Sequence, residues 1–207
     1  MSYMLDKEEL DPTDEKDVHG RIAQRLRELR SQRGYTLDVL AAKSGVSRSM
    51  ISLIERGAAS PTAVVLNRLA AGLGVSLASL FAGIEESGPA PSPLVAHAKQ
   101  AVWKDPDSGY LRRSVSPPGW PSPMQLVEVQ FPAGARVAYE ANAGESPLHQ
   151  QVWLLAGRID IVTGATTHTM QAGDCLAMRL DQPIVFSNPT QKTARYLVAI
   201  CDATGFN

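Results

Sequence analysis

Seven side chains between residues 36 and 56 have the types and spacing to meet a nucleic acid. Thr36, Lys43, Ser47, Arg48, Ser49, Ser52 and Arg56 are hydroxyls and cations, the groups that hydrogen-bond base edges and neutralise phosphates. An arginine reads guanine through two parallel hydrogen bonds. Arg48 and Ser52 are therefore the side chains expected to reach bases, with a phosphate clamp an equal alternative for Arg48. Lys43 and Arg56, at the rim, are expected on phosphates.

Two short helices must position these groups. Thr36 is placed to cap a helix through Leu37, Leu40 and Ala41, because a hydroxyl there can accept a free N–H of the first turn. Lys43-Ser44-Gly45 breaks it, with Gly45 free to take the left-handed conformation that ends helices. Val46 plugs the turn, and Ser47 caps a second helix. Met50, Ile51 and Ile54 are expected to face inward, with Arg48, Ser49 and Ser52 on the other side. Such a pair, one helix bracing and the other laid in the major groove, is a helix-turn-helix.

The segment VSRSMISLIERG, preceded by TLDVLA and followed by SPTAVVLNRLAAGLGVSLASLF, resembles the lambda-repressor-like (XRE) helix-turn-helix family over residues 18–83. The resemblance implies a five-helix domain that binds double-stranded operator DNA, and it implies an internal ion pair between Arg30 and Glu55. Leu37 departs from it, since many members carry a glutamine that touches the DNA backbone there.

Whole-chain charge, net −1, hides a division. Residues 1–17 hold two basic and seven acidic side chains, residues 18–83 nine and three, and residues 84–207 nine and eleven. A basic unit between acidic flanks is the footprint of phosphate binding. Residues 1–17 are expected to be a disordered acidic tail. Residues 84–93, containing EESGPAPSP, are expected to be a linker. With no signal peptide and no long apolar run, a cytoplasmic protein without membrane contact is expected. Cys175 and Cys201 read as reduced, buried thiols.

Beyond the linker the period becomes strand-like. PMQLVEVQF, HQQVWLLAGRIDIVTG, TTHTMQAGDCLAMRL and PIVFSNPTQKTARYLVAIC alternate and break at Gly or Pro turns, the pattern of a barrel or jelly roll. QVWLLAGRIDIVTG and QAGDCLAMRLDQPIVFSNPT resemble the two signature segments of a small cupin barrel, over roughly residues 94–202 of a unit expected to span 94–207. Together the two resemblances imply a multidomain α-then-β regulator, a helix-turn-helix followed by a cupin jelly-roll β-barrel that senses a small-molecule effector and joins two copies into a homodimer. A repressor of a metabolic operon is expected.

The cupin metal ligands do not match. Their places fall near Gly144 or Glu145, Ser146 and Gln150, and the last at Ile184. A first-row metal wants three or four converging nitrogen, sulfur or carboxylate donors, so neither a metal nor another cofactor is expected. His149 reads as a surface or lip residue and His168 as a hairpin residue. Strand parity from Gln150 and Ile184 puts Val152, Leu154 and Phe186 inside with them as an effector pocket, and Trp153 and Val185 outside. Two other readings compete: a metalloenzyme of the hydroxypropylphosphonate epoxidase type, which joins the same two domain types, and an antitoxin-like interaction protein.

Overall fold

Apolar residues spaced at three and four positions fold the first part of the chain into helices, and a switch to period two folds the rest into sheets. The computed structural model of this chain describes residues 12–81, 91–141 and 148–202. Its helices are α1 (Pro12–Gln32), α2 (Leu37–Ser44), α3 (Arg48–Glu55) and α4 (Ala63–Leu73). They enclose Ile22, Leu26, Leu40, Ile51, Ile54, Leu66, Leu69 and Leu73, each at most 1% exposed.

Caps set the helix ends. The hydroxyls of Thr36, Ser47 and Thr62 accept the N–H groups of Val39, Met50 and Val65 at 3.2, 3.2 and 3.3 Å. Gly45 ends α2 at φ 67°, a conformation that would strain a residue with a Cβ.

Three expectations for this half are corrected. The fifth helix is a single 3-10 turn, Leu77–Leu80, so the domain has four α-helices among the described residues. α1 begins at Pro12, inside the stretch expected to be a tail, while residues 1–11 lie outside the described residues. Met50 is 39% exposed, so only Ile51 and Ile54 anchor α3.

Among the described residues ten antiparallel strands follow: β1 (Val102–Lys104), β2 (Leu111–Ser114), β3 (Met124–Phe131), β4 (Arg136–Tyr139), β5 (Leu148–Ala156), β6 (Arg158–Thr163), β7 (Thr166–Gln171), β8 (Cys175–Arg179), β9 (Ile184–Ser187) and β10 (Ala194–Asp202). One sheet runs β1-β2-β3-β10-β5-β8 and the other β4-β9-β6-β7. This is a β-rich pair of sheets. No closed barrel forms among the described residues, because the hydrogen-bonded ladders end at separate sheet edges.

Parity within β5 and β9 is as read from the alternation. Val152, Leu154, Ile184 and Phe186 are buried, Trp153 is exposed and Val185 half-buried. Gly157, at φ 84°, turns β5 into β6, and a Cβ there would meet Ala194 Cα at 2.9 Å.

The cysteines are not buried. Cys175 is exposed and Cys201 half-buried, and neither is in a disulfide. The register explains this: Cys175 lies opposite Trp153, and Cys201 opposite His149, both of which face out, and cross-strand partners share a face.

The helical and sheet halves dock directly. Asp105, only 2% exposed, caps α4 from the sheet side, its carboxylate accepting the Ala63 N–H at 2.8 Å. Ser108 holds the same carboxylate through its N–H at 2.9 Å and its hydroxyl at 2.6 Å. A carboxylate at a helix N-terminus also offsets the positive end of the helix dipole. Phe81 meets Trp103 edge-on at 5.4 Å, and contacts continue through Tyr110 and Phe131 to Tyr196. Arg68 on α4 pairs with Glu140, the residue after β4, its Nε at 3.1 Å. These contacts join the two halves independently of the linker expected at residues 84–93. Of that linker, residues 84–90 lie outside the described residues.

Candidate nucleic-acid interface and inter-domain cavity

The seven hydroxyl and cationic residues lie at and between the ends of α2 and α3. Thr36, Lys43, Ser47, Arg48, Ser49 and Arg56 are exposed, and Ser52 is half-buried. Their side chains are not idle. The Thr36 and Ser47 hydroxyls serve as caps, and Ser47 also hydrogen-bonds the Ser49 hydroxyl at 3.2 Å. Lys43 sits 5.3 Å from the centre of the Tyr35 ring. Arg56 folds back so that its Nε donates to the Ser52 carbonyl at 3.1 Å.

Arg48 pairs with Asp38 on α2, Nε to Oδ1 at 3.2 Å, a partner that sequence spacing did not indicate. The two side chains remain 63% and 75% exposed, and exposed pairs of this kind are worth less than about 1 kcal/mol. A polyanion offering several charge-assisted hydrogen bonds outcompetes that, so Arg48 is held in place without being committed.

Arg30 and Glu55 form the buried pair that ties α1 to α3. Arg30 Nε and Nη2 donate to Glu55 at 2.6 and 2.8 Å, and Nη1 donates to the Tyr35 carbonyl at 2.8 Å. The bond to Glu55 raises the Arg30 pKa above its ordinary value, against the opposing effect of burial. This guanidinium positions the second helix and does not face outward with the others.

A second site sits where the two halves meet. A cavity of about 80 Å³ is walled by Asn67, Ser76 and Leu77 from the helical side and by strands of both sheets. Gln150, Ile184 and Phe186 line it. Val152 and Leu154 are buried but do not, so the pocket assignment made from parity is too deep for these two. Gln150 Nε2 approaches Met178 Sδ at 4.0 Å, a weak acceptor for an amide.

Sequence reading missed the polar part of this wall: Tyr110, Arg112, Tyr139 and Tyr196. The Tyr110 and Tyr139 hydroxyls hydrogen-bond each other at 3.1 Å. Burial pushes the Tyr110 hydroxyl up to about 12 and raises those of Tyr139 and Tyr196 well above the ordinary value. Burial also lowers the pKa of Arg112, with the phenols of Tyr110, Tyr139 and Tyr196 acting in the opposite direction. One signal for it was present in the sequence. Arg112-Arg113 occupies consecutive strand positions, whose side chains leave on opposite faces, so one of the two had to point inward.

The positions that match cupin ligands give no converging donors where they are described. Gln150 and Ile184 are on the cavity wall, while Gly144, Glu145 and Ser146 lie outside the described residues. His149 is exposed, and His168 is half-buried on β7, its Nε2 3.2 Å from the Thr163 hydroxyl. Among the described residues no three His, Cys, Asp or Glu side chains gather as a metal site would need. Nor is any described helix long and apolar enough to cross a membrane.

Residues 26–80 match the helix-turn-helix family HTH_3. The HTH-type transcriptional regulator SutR of Escherichia coli (strain K12) is 24% identical over 171 residues, covering 83% of this chain and 89% of SutR. The HTH-type transcriptional regulator y4dJ of Sinorhizobium fredii is 34% identical over 71 residues, 34% of this chain and 92% of that protein. In fold, the chain is similar to the crystal structure of an HTH_3 family transcriptional regulator from Vibrio cholerae. That likeness has a TM-score of 0.72 at 23% identity and covers 90% of this chain and 98% of that one.

Proposed function

This chain belongs to the helix-turn-helix family of DNA-binding transcriptional regulators, and we propose that it is a cytoplasmic repressor of a metabolic operon, released by a small molecule. The DNA-binding unit is residues 18–83, joined through 84–93 to a sensor and dimerisation unit at 94–207. Arg48 and Ser52 read bases, Thr36, Ser47 and Ser49 fix the helix against the backbone, and Lys43 and Arg56 hold phosphates. One recognition helix spans too few bases for useful specificity. Two copies therefore act on half-sites roughly 34–36 Å apart, joined through the sheet unit, because the basic helical units repel one another.

The observation that carries the sensor reading is the cavity walled by both halves. A ligand lodged between two units can favour one arrangement of them, and it shifts that equilibrium only as far as its affinities for the two arrangements differ. Gln150, Ile184 and Phe186 contact it without a metal. The chemistry is binding, not turnover.

The deciding experiment begins by mapping bound sites across the genome to obtain the operator. Metal-stripped protein is then titrated with amines, amino acids and small acids by calorimetry, and operator release is followed in the same samples. Ligand binding that weakens operator affinity is expected. Binding that leaves operator affinity unchanged, or that returns only with iron, zinc or nickel, would overturn the metal-free sensor and favour a cupin metalloenzyme.

A further inference from the structure

We propose that the cavity between the two halves takes a small organic carboxylate with an apolar body, and that Arg112 meets its charge. The proposal rests on the sensor reading and names the chemistry of its ligand.

Arg112 is 5% exposed, and its Nε and Nη2 atoms are enclosed with no hydrogen-bond acceptor among the described residues. Its guanidinium lies over the Phe81 ring, 4.6 Å from the centroid, an attraction that leaves its N–H groups unspent. The half-buried Arg30 and the buried Arg113 differ. Arg30 is held by Glu55, and Arg113 faces Glu128 at 4.0 Å. A guanidinium carries five N–H donors and stays charged, so burying one without a carboxylate is costly. Such a cost persists where the partner is supplied from outside, and a carboxylate matches the planar fork in two parallel bonds.

The rest of the wall suits the same ligand. Two phenols bonded to each other use one hydroxyl hydrogen, so the Tyr110–Tyr139 pair keeps one O–H to donate. The Gln150 amide adds N–H donors that face a thioether among the described residues. The carboxylate at the cavity's edge, Glu140, is already taken by Arg68. The same cavity is lined by the apolar side chains of Leu148, Ile184, Val198 and Ile200, which a free inorganic anion would leave unfilled. An acid of a few carbons satisfies both ends within about 80 Å³.

The same arginine gives occupancy a route to the helices. An anion drawing the guanidinium towards the cavity competes with its contact to Phe81, the residue that follows the last turn of the helical half.

The test titrates the full chain with hexanoate and benzoate, with their neutral amides, with hexanesulfonate and with inorganic phosphate, by calorimetry and thermal shift. The acids should bind at least about tenfold tighter than their amides, the ratio expected of one charge-assisted contact. Arg112→Met should melt higher than the unliganded parent, because it removes an uncompensated charge, and it should lose the preference for acids. Arg112→Lys, which keeps charge without the fork, should retain a reduced preference. Amides binding as well as acids, acids binding Arg112→Met as well as the parent, or phosphate or sulfonate binding in preference to the carboxylates would each overturn the assignment. If Arg112→Met does not fold, the acid-to-amide ratios of the parent and Arg112→Lys decide the matter alone. Amides that bind and release the operator would leave the sensor standing while the anion site falls. Acids that bind without releasing it would do the reverse, and no binding across the panel would overturn the anion site outright.

Discussion

Replacing Arg30 with methionine should destabilise the helical half more than any other single charge removal on α1. The substitution deletes two hydrogen bonds to Glu55 and one to the Tyr35 carbonyl, and it leaves a carboxylate whose side chain is only 8% exposed. Breaking a buried pair costs about 3–5 kcal/mol. The Arg30 side chain keeps 15% exposure, so water can reach the site, and the low end, about 3 kcal/mol, applies. The two halves share an aromatic core and should melt together. For a chain of this length that loss corresponds to roughly 6–12 °C in melting temperature. Circular dichroism in the helical band would read it. Arg27→Met is the control, because Arg27 is exposed and surface changes usually stay within about 0.5 kcal/mol. The double substitution Arg30→Met with Glu55→Met should recover the part of the loss that comes from an unpaired carboxylate, though not the part from the Tyr35 carbonyl. Equal shifts from Arg30→Met and Arg27→Met would refute the reasoning, as would a double variant whose loss is simply the sum of the two singles.

Arg48→Ala should weaken operator binding by about 1–3 kcal/mol and relax preference at particular base pairs, whereas Arg56→Ala should weaken all sequences alike and flatten the salt dependence. Titrations against operator and scrambled DNA at two salt concentrations separate them, and equal losses on both DNAs for Arg48→Ala would make it a phosphate contact. Asp105→Ala removes the acceptor of the Ala63 N–H and should cost about 2–3 kcal/mol in thermal melting; a neutral result would mean that α4 does not depend on the sheet for its cap. The tyrosines set an alkaline limit. The Tyr110 hydroxyl is raised from 10.0 to about 12 in the folded chain, so unfolded chains release that proton first. The stability it contributes is intact below pH 10 and falls as pH rises towards 12, by about 3 kcal/mol at most, with Tyr139 and Tyr196 acting in the same direction. Phenolate absorbance tracked alongside unfolding checks this, and ionisation of these hydroxyls at pH 10 with the fold intact would contradict it.

The helix-turn-helix could be read from the sequence because its determinants are local. A cap hydroxyl, a left-handed glycine and the apolar positions of a helix are fixed within eight or nine residues of one another, and Thr36, Gly45 and Ser47 do in the structure what their types allow. The same holds for β5, where alternation alone separates Val152 and Leu154 from Trp153. Periodicity failed where a residue's surroundings come from elsewhere. Met50 fits the inward stripe of α3 by spacing, yet it lies at the margin of the core. Cys175 and Cys201 have the composition of buried residues, but the register puts them opposite outward-facing partners.

The cavity was half legible for a similar reason. Gln150 and Ile184 were reachable because the cupin resemblance marks their positions, and Phe186 because parity counts along the strand it shares with Ile184. Parity cannot say how far along the strand the open space extends, and it ended before Val152 and Leu154. The donors that give the cavity its chemistry come from β2, β4 and β10, and its far wall from α4 and the turn after it. No period within one segment relates those elements. What relates them is the docking of two halves that composition presents as separate units, one basic and one acidic. Asp105 is the residue on which this turns: in the sequence it is one of the eleven acidic residues of the second half, and in the fold it is a buried cap on a helix of the first. A helix whose N-terminus depends on a carboxylate from the sheet cannot shift relative to that sheet without losing the bond. In the proposed sensor, a ligand that moved the sheet against α4 would strain this bond, and the core shared by the helices would carry that strain to α3.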